Sequence, residues 1–203
     1  MTTAKTKDEA WELVTEFVQD AGLRRHMLAV ADAMGYYAAL LDEDRDYWET
    51  VGLVHDFDWE IHPDLDRHPI EGSKILRERG WDEETIRVVL SHYTEGTSVE
   101  REKPIDFALM ANDEITGLIV ATTLVRPSKN IADVNLKSIR KKWKNRAFAA
   151  GVDREEVERH TEDFSQVCFD GKLDLWTHIG NVLAAMQADA ERLELDGRLA
   201  ARN

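Results

Sequence analysis

The residues of this chain best suited to chemistry are an adjacent histidine and aspartate, His55 and Asp56, which end an apolar segment that begins at Val51. Together they offer a metal ion one neutral nitrogen and one charged oxygen, a mixed set that suits a first-row divalent ion. Further residues of the same two types occur on both sides of this pair along the chain, namely His26, His68, His92 and Asp113. The pattern indicates a metal centre to which several segments contribute.

Helices are predicted for the segments that carry these residues, because their apolar side chains recur every three to four positions. The predicted helices are Lys7 to Asp20, Leu23 to Leu41, Tyr47 to the His-Asp pair, Pro69 to Gly80, Asp82 to His92, Pro104 through Ile119, one capped by Asp153, and Leu173 to Leu195. No segment alternates between apolar and polar residues as a strand would. The sequence therefore predicts an all-α fold, a single-domain bundle of several helices over residues 1–203, with the metal site between central helices and C-terminal helices over 153–195.

The order of these ligands, together with the segments 68–72 (HPIEG) and 113–119 (DEITGLI), resembles the HD-domain superfamily of metal-dependent phosphohydrolases over about residues 23–125. The resemblance implies that one metal ion is held by His26, His55, Asp56 and Asp113. In binuclear members the aspartate of the pair bridges to a second ion, which His68 and His92 would hold here. The implied cofactors are two divalent ions, drawn from Mn, Fe, Co, Ni, Zn and Mg.

The activity implied by the resemblance is hydrolysis of a small phosphorylated metabolite or nucleotide by a water that the metal ions activate. Asp56 would act at the reacting centre, and Asp58, Glu60 and Glu114 are nearby acids that could orient water or protonate a leaving group. Superfamily membership does not fix the substrate. A mononuclear site, a di-iron oxygenase on the same ligands and a regulatory domain with a non-catalytic metal remain open as alternatives.

The charge of the chain is uneven. With 40 acidic and 26 basic residues the formal net charge is −14, which argues against extended nucleic acid as a partner. Residues 126–146 nevertheless carry eight basic residues and one acid, a net charge of +7. Within this basic segment, Arg126 and Lys129 follow closely after the Asp113 helix and are predicted to bind the phosphate of a substrate. The alternative is a solvated helix face.

The remaining features predict a soluble cytoplasmic protein without a membrane partner. Cys168 is the single cysteine, so no internal disulfide can form, and we expect this side chain in the core. The N-terminal residues lack the apolar core of a signal peptide, and the apolar run from Ile115 to Val125 is shorter than the ~20 residues of a membrane helix. The other histidines are predicted to be structural or solvated, namely His62, His160 and His178. The oligomeric state is left open.

Overall fold

The computed structural model describes residues 4–200, which form ten α-helices and one short 3-10 helix and contain no β-strand. The prediction of an all-α fold is confirmed. The helices are α1 (Lys7–Phe17), α2 (Ala21–Leu40), α3 (Arg45–Val54), α4 (Ile70–Glu78), α5 (Glu83–Ser91), α6 (Thr94–Thr97), α7 (Pro104–Leu124), α8 (Leu136–Trp143), α9 (Arg154–Phe169) and α10 (Leu175–Ala188), with the 3-10 helix Ile131–Asp133 between α7 and α8.

Most of the helices begin at a polar residue whose side chain accepts a hydrogen bond from a backbone N–H of the first turn. These capping residues are Thr6, Asp20, Asp44, Asp82, Asn135, Asp153 and Asp174, for α1, α2, α3, α5, α8, α9 and α10. Five of the seven are aspartates, whose charge also suits the positive end of the helix dipole. Part of the acidic excess of the chain therefore serves to fix where its helices start.

The chain divides into two compact units, the first ending at Leu109 and the second beginning at Met110. In the first unit α3 is the central element, since every residue from Trp48 to Val54 is buried and the helix packs against α1, α2 and α5. A Cβ atom on Gly52 would lie 2.8 Å from the Cα of Ala31, so only glycine allows α3 to approach α2 this closely. The prediction of a single domain over residues 1–203 stays a prediction.

In the second unit α10 packs against α8, α9 and the 3-10 helix. His178 is fully buried on α10 and donates from Nε2 to the carbonyl oxygen of Ala111 on α7, at 2.8 Å. Its ring also meets the ring of Phe164 on α9 edge to face, 6.3 Å between centroids. These contacts give His178 the structural role that was expected of it. Cys168, by contrast, was expected in the core and is only half-buried.

Two of the predicted helices end earlier than expected. The first was predicted to reach Asp20 but ends at Phe17, because the N–H groups of Gln19 and Asp20 donate to the carboxylate of the distant Glu60. The last was predicted to reach Leu195 but ends at Ala188, and beyond this end the carbonyl of Leu195 accepts from the N–H of Ile131. The predicted stop at Gly80 is confirmed, with φ of +73°.

Among the described residues, α7 is the one helix long and apolar enough to cross a membrane by length and composition. More than half of its most apolar stretch is buried inside the protein, as in the core helix of a soluble protein, so this is weak evidence for a membrane span. The predicted cytoplasmic location stays a prediction.

Candidate metal centre

Four histidines in the first unit form two pairs, each with its Nε2 atoms in contact. Nε2 of His26 lies 3.2 Å from Nε2 of His55, and Nε2 of His68 lies 2.9 Å from Nε2 of His92. Each residue sits at or near a helix end: His26 in the second turn of α2, His55 at the C-terminal cap of α3, His68 just before α4, and His92 at the C-terminal cap of α5. The predicted helix ends thus bring four imidazoles together.

The carboxylate of Asp56 lies between the two pairs and turns one oxygen to each. Its Oδ2 is 3.6 Å from Nε2 of both His26 and His55. Its Oδ1 is 3.2 Å from Nε2 of His68 and 3.7 Å from Nε2 of His92. Asp56 can direct its oxygens this way because α3 has already ended at Val54, so its side chain is not confined to a helix face. A carboxylate in this position could bind two cations at once.

The other ring nitrogen of three of these histidines is held by the protein. Nδ1 of His55 donates to the carbonyl of Gly52 at 2.8 Å, and Nδ1 of His92 donates to the carbonyl of Val89. Nδ1 of His68 donates to Oδ1 of Asp58 at 2.7 Å. Because carbonyl and carboxylate oxygens only accept, the hydrogen of each neutral ring must be on Nδ1. Each Nε2 is then a lone-pair donor, which is the form a metal ligand needs.

Asp58 is itself held in place behind His68. Its carboxylate is fully buried, and its Oδ2 accepts from the backbone N–H of Gly72 at the start of α4, at 3.0 Å. A Cβ atom on residue 72 would lie 2.5 Å from this carboxylate, so the contact requires glycine. The ring of Trp59 packs edge to face against His68, with centroids 5.0 Å apart. These contacts suit a residue that positions His68.

The residues fit a divalent metal ion. Two ligand atoms, each about 2.1 Å from one ion, lie about 3.0–3.4 Å apart at cis octahedral or tetrahedral angles. The nitrogen–nitrogen spacing of 3.2 Å falls in this range, and the spacing of 2.9 Å lies just below it. Two Nε2 atoms this close need either a proton or a metal ion between them. Burial lowers the pKa of His68, but hydrogen bonds with Asp56 and Asp58 outweigh it and raise the pKa to about 9. A metal ion at this pair must therefore displace a proton.

The other predicted site residues are Asp113, Glu114 and Glu60. Asp113 lies half-buried on α7, in the second unit. Burial raises the pKa of its neighbour Glu114 to about 7, although the N–H of Asp153 donates to that carboxylate at 2.8 Å. Glu60 is exposed, and its carboxylate accepts from the N–H groups of Gln19 and Asp20. No contact of Glu60 with the four histidines is seen within residues 4–200.

The two predicted phosphate-binding residues also differ from each other. Arg126 is half-buried and lines a cavity in the second unit. Lys129 directs its Nζ to the carbonyl of Leu199, at 3.3 Å, and is not among the residues that line that cavity.

Sequence reasoning missed the residues that hold the imidazoles from behind. Two of the three acceptors are the backbone carbonyls of Gly52 and Val89, which the residue type at those positions does not reveal. The sequence spacing could have revealed them, because each carbonyl lies three residues before its histidine, within reach of a ring at a helix C-terminus. Asp58 was noticed as an acid near the ligands, but its contact with His68 depends on the turn between α3 and α4.

Residues 23–113 match the family model of the HD domain, which supports membership of the HD-domain superfamily. HD-domain proteins are mostly metal-dependent hydrolases. The match begins just before His26 and ends at Asp113, and it includes both histidine pairs and Asp56. No curated protein and no solved structure matched the chain.

Proposed function

We propose that this protein is a cytoplasmic metal-dependent phosphohydrolase that acts on a small phosphorylated metabolite or nucleotide. One observation carries the proposal: the two oxygens of Asp56 face different histidine pairs, as a carboxylate shared by two divalent ions would. The HD-domain match supports it, because that superfamily consists mostly of metal-dependent hydrolases.

In this proposal His68 and His92 would hold one ion, His26, His55 and Asp113 would hold the other, and Asp56 would serve both. The role of Asp113 rests on the family resemblance. When bound, two divalent ions supply positive charge for a phosphoryl group and lower the pKa of a water towards neutrality. Asp58 keeps the hydrogen of His68 on Nδ1, and the carbonyls of Gly52 and Val89 do the same for His55 and His92.

The chain would bind and orient the substrate rather than attack it. No serine, cysteine or threonine is needed as a nucleophile, because the attacking group is water. Arg126 and Lys129 remain proposed contacts for the substrate phosphate, and Glu60 remains a proposed proton donor to the leaving group. Asp58 was also predicted as a catalytic acid, but its buried contact with His68 favours a role in orienting the His68 ring over a role in transferring a proton to the substrate.

The ligand assignment is tested by metal content. Asp56→Ala should lose most of the bound divalent metal, because both ions lose a ligand, whereas His68→Ala or His92→Ala should lose about one of the two. Asp163→Ala, which removes an exposed carboxylate on α9, is the matched control and should keep the wild-type content. Elemental analysis of purified variants measures this, and full occupancy in Asp56→Ala would sink the assignment.

The reaction is tested with a screen of nucleotides and sugar phosphates in the presence of Mn, Co, Ni or Mg. Turnover should disappear after chelation and return when the divalent ion is added back. A metal-containing protein that hydrolyses none of them but consumes oxygen when loaded with iron would support the oxygenase alternative. A protein that retains metal but shows neither activity would support the alternative of a regulatory domain with a non-catalytic metal.

A further inference from the structure

A cavity of about 680 Å³ in the second unit is lined by residues of the basic segment. Its size falls within the range of about 300–1,000 Å³ found for small-molecule sites. Arg126 reaches it from the end of α7, and Lys141 and Lys142 reach it from α8. None of the residues that line it is a proposed metal ligand, and one of them, Arg126, is a proposed contact for the substrate phosphate.

The three cations at this cavity have no carboxylate partner among residues 4–200. Lys142 lies over the ring of Phe148, 4.2 Å from its centroid, and no ion pair joins Arg126, Lys141 or Lys142 to an acid. In a chain with 40 acidic and 26 basic residues, three neighbouring unpaired cations are unusual. One acid, Asp133, also lines the cavity, so these charged side chains sum to +2 at neutral pH. The local field favours a small anion.

We infer that this cavity is a binding site for a phosphorylated small molecule, contacted by Arg126, Lys141 and Lys142. Three cations match an anion that carries several charges, and phosphate oxygens accept hydrogen bonds from both side-chain types. An extended nucleic acid is disfavoured by the net charge of −14. The site shares Arg126 with the proposed substrate contacts but does not rest on the proposed function, since anion binding here requires neither metal nor hydrolysis.

The test is calorimetric titration of the full chain with inorganic pyrophosphate at low ionic strength. Metal is first removed with a chelator, and the chelator is then removed by gel filtration because it is itself an anion. Wild type should bind pyrophosphate, and should bind citrate, an anion of similar charge without phosphate, more weakly. The same result should be obtained in Asp56→Ala, so failure of the proposed metal centre would leave this measurement unaffected.

Variants separate the cavity from the general charge of the basic segment. Lys141→Gln combined with Lys142→Gln should weaken pyrophosphate binding at least about tenfold. Lys137→Gln combined with Lys144→Gln removes the same charge from exposed positions outside the cavity and should change affinity within about twofold. Asp133→Asn should tighten binding, because it removes the acid that lines the cavity.

Two results would overturn the inference. The first is absence of pyrophosphate binding to wild type, and the second is equal weakening by the two lysine double variants, which would mean that only the general charge of the basic segment acts. Citrate binding as tight as that of pyrophosphate would also overturn the choice of a phosphorylated ligand.

Discussion

The imidazoles of the two histidine pairs are useful as ligands only if their rings are held with Nε2 facing inwards. His55 and His92 are held by backbone carbonyls, which no side-chain substitution removes directly. His68 depends on the side chain of Asp58, which accepts from His68 through one oxygen and from the N–H of Gly72 through the other. The orientation of His68 is therefore the one most open to a test by mutation.

We expect Asp58→Asn to weaken metal binding at the His68/His92 pair about 10- to 100-fold. An amide has one acceptor oxygen, so it can satisfy either the ring of His68 or the N–H of Gly72, and its NH₂ group then faces the other donor. Competition with a metal-sensitive dye measures the affinity. Glu60→Gln is the control, because Glu60 is exposed and bonds only to the N–H groups of Gln19 and Asp20 among the described contacts. Equal affinities of Asp58→Asn and wild type would contradict a positioning role.

At the scale of helices, α4 matters for the site through its first turn. The N–H of Gly72 points at Asp58, and the absence of a side chain at Gly72 leaves room for that carboxylate. In an ordinary helix position alanine is more stable than glycine by about 0.5–1 kcal/mol. Gly72 therefore lowers the intrinsic stability of α4 in order to accommodate Asp58.

We expect Gly72→Ala to lower the free energy of unfolding by about 1–3 kcal/mol, because the added Cβ would lie 2.5 Å from the carboxylate of Asp58 and must displace it. The matched control is Gly117→Ala on α7, where the added Cβ meets only the side chain of Val152, at 3.8 Å. That variant should gain about 0.5–1 kcal/mol. Urea denaturation of both variants measures the difference, and a stabilised Gly72→Ala would show that Asp58 can move at no cost.

The helices and the segments that carry the ligands could be predicted from the sequence because both depend on local patterns. The capping residues Asp82 and Asp153 correctly predicted where α5 and α9 begin, and Gly80 correctly predicted where α4 ends. The end of α1 could not be predicted, because it depends on Glu60, some forty residues away along the chain. The cavity could not be predicted either, since Thr122 and Lys142 share it only through tertiary packing.

At the scale of the whole molecule, stability below neutral pH should depend on His178. Burial lowers the pKa of this histidine to about 4, from an ordinary value of 6.5 in the unfolded chain. Above pH 6.5 the ring is neutral in both states. Between pH 6.5 and 4 the unfolded chain binds a proton that the folded protein does not, so folding becomes less favourable as the pH falls. Below about pH 4 His178 is protonated in both the folded and the unfolded state, so the loss of folding free energy caused by this residue does not increase further.

We expect the free energy of unfolding of the wild type to fall by up to about 3 kcal/mol more than that of His178→Gln between pH 6.5 and 4. Glutamine can still donate to the carbonyl of Ala111 but does not titrate, so any packing cost of the substitution is the same at every pH and cancels when slopes are compared. Other groups, including Glu114, titrate in both proteins and cancel likewise. Chemical denaturation at a series of pH values gives the two curves. Parallel curves would mean that His178 takes up a proton in the folded state as readily as in the unfolded one, and that its burial does not control the acid stability of the second unit.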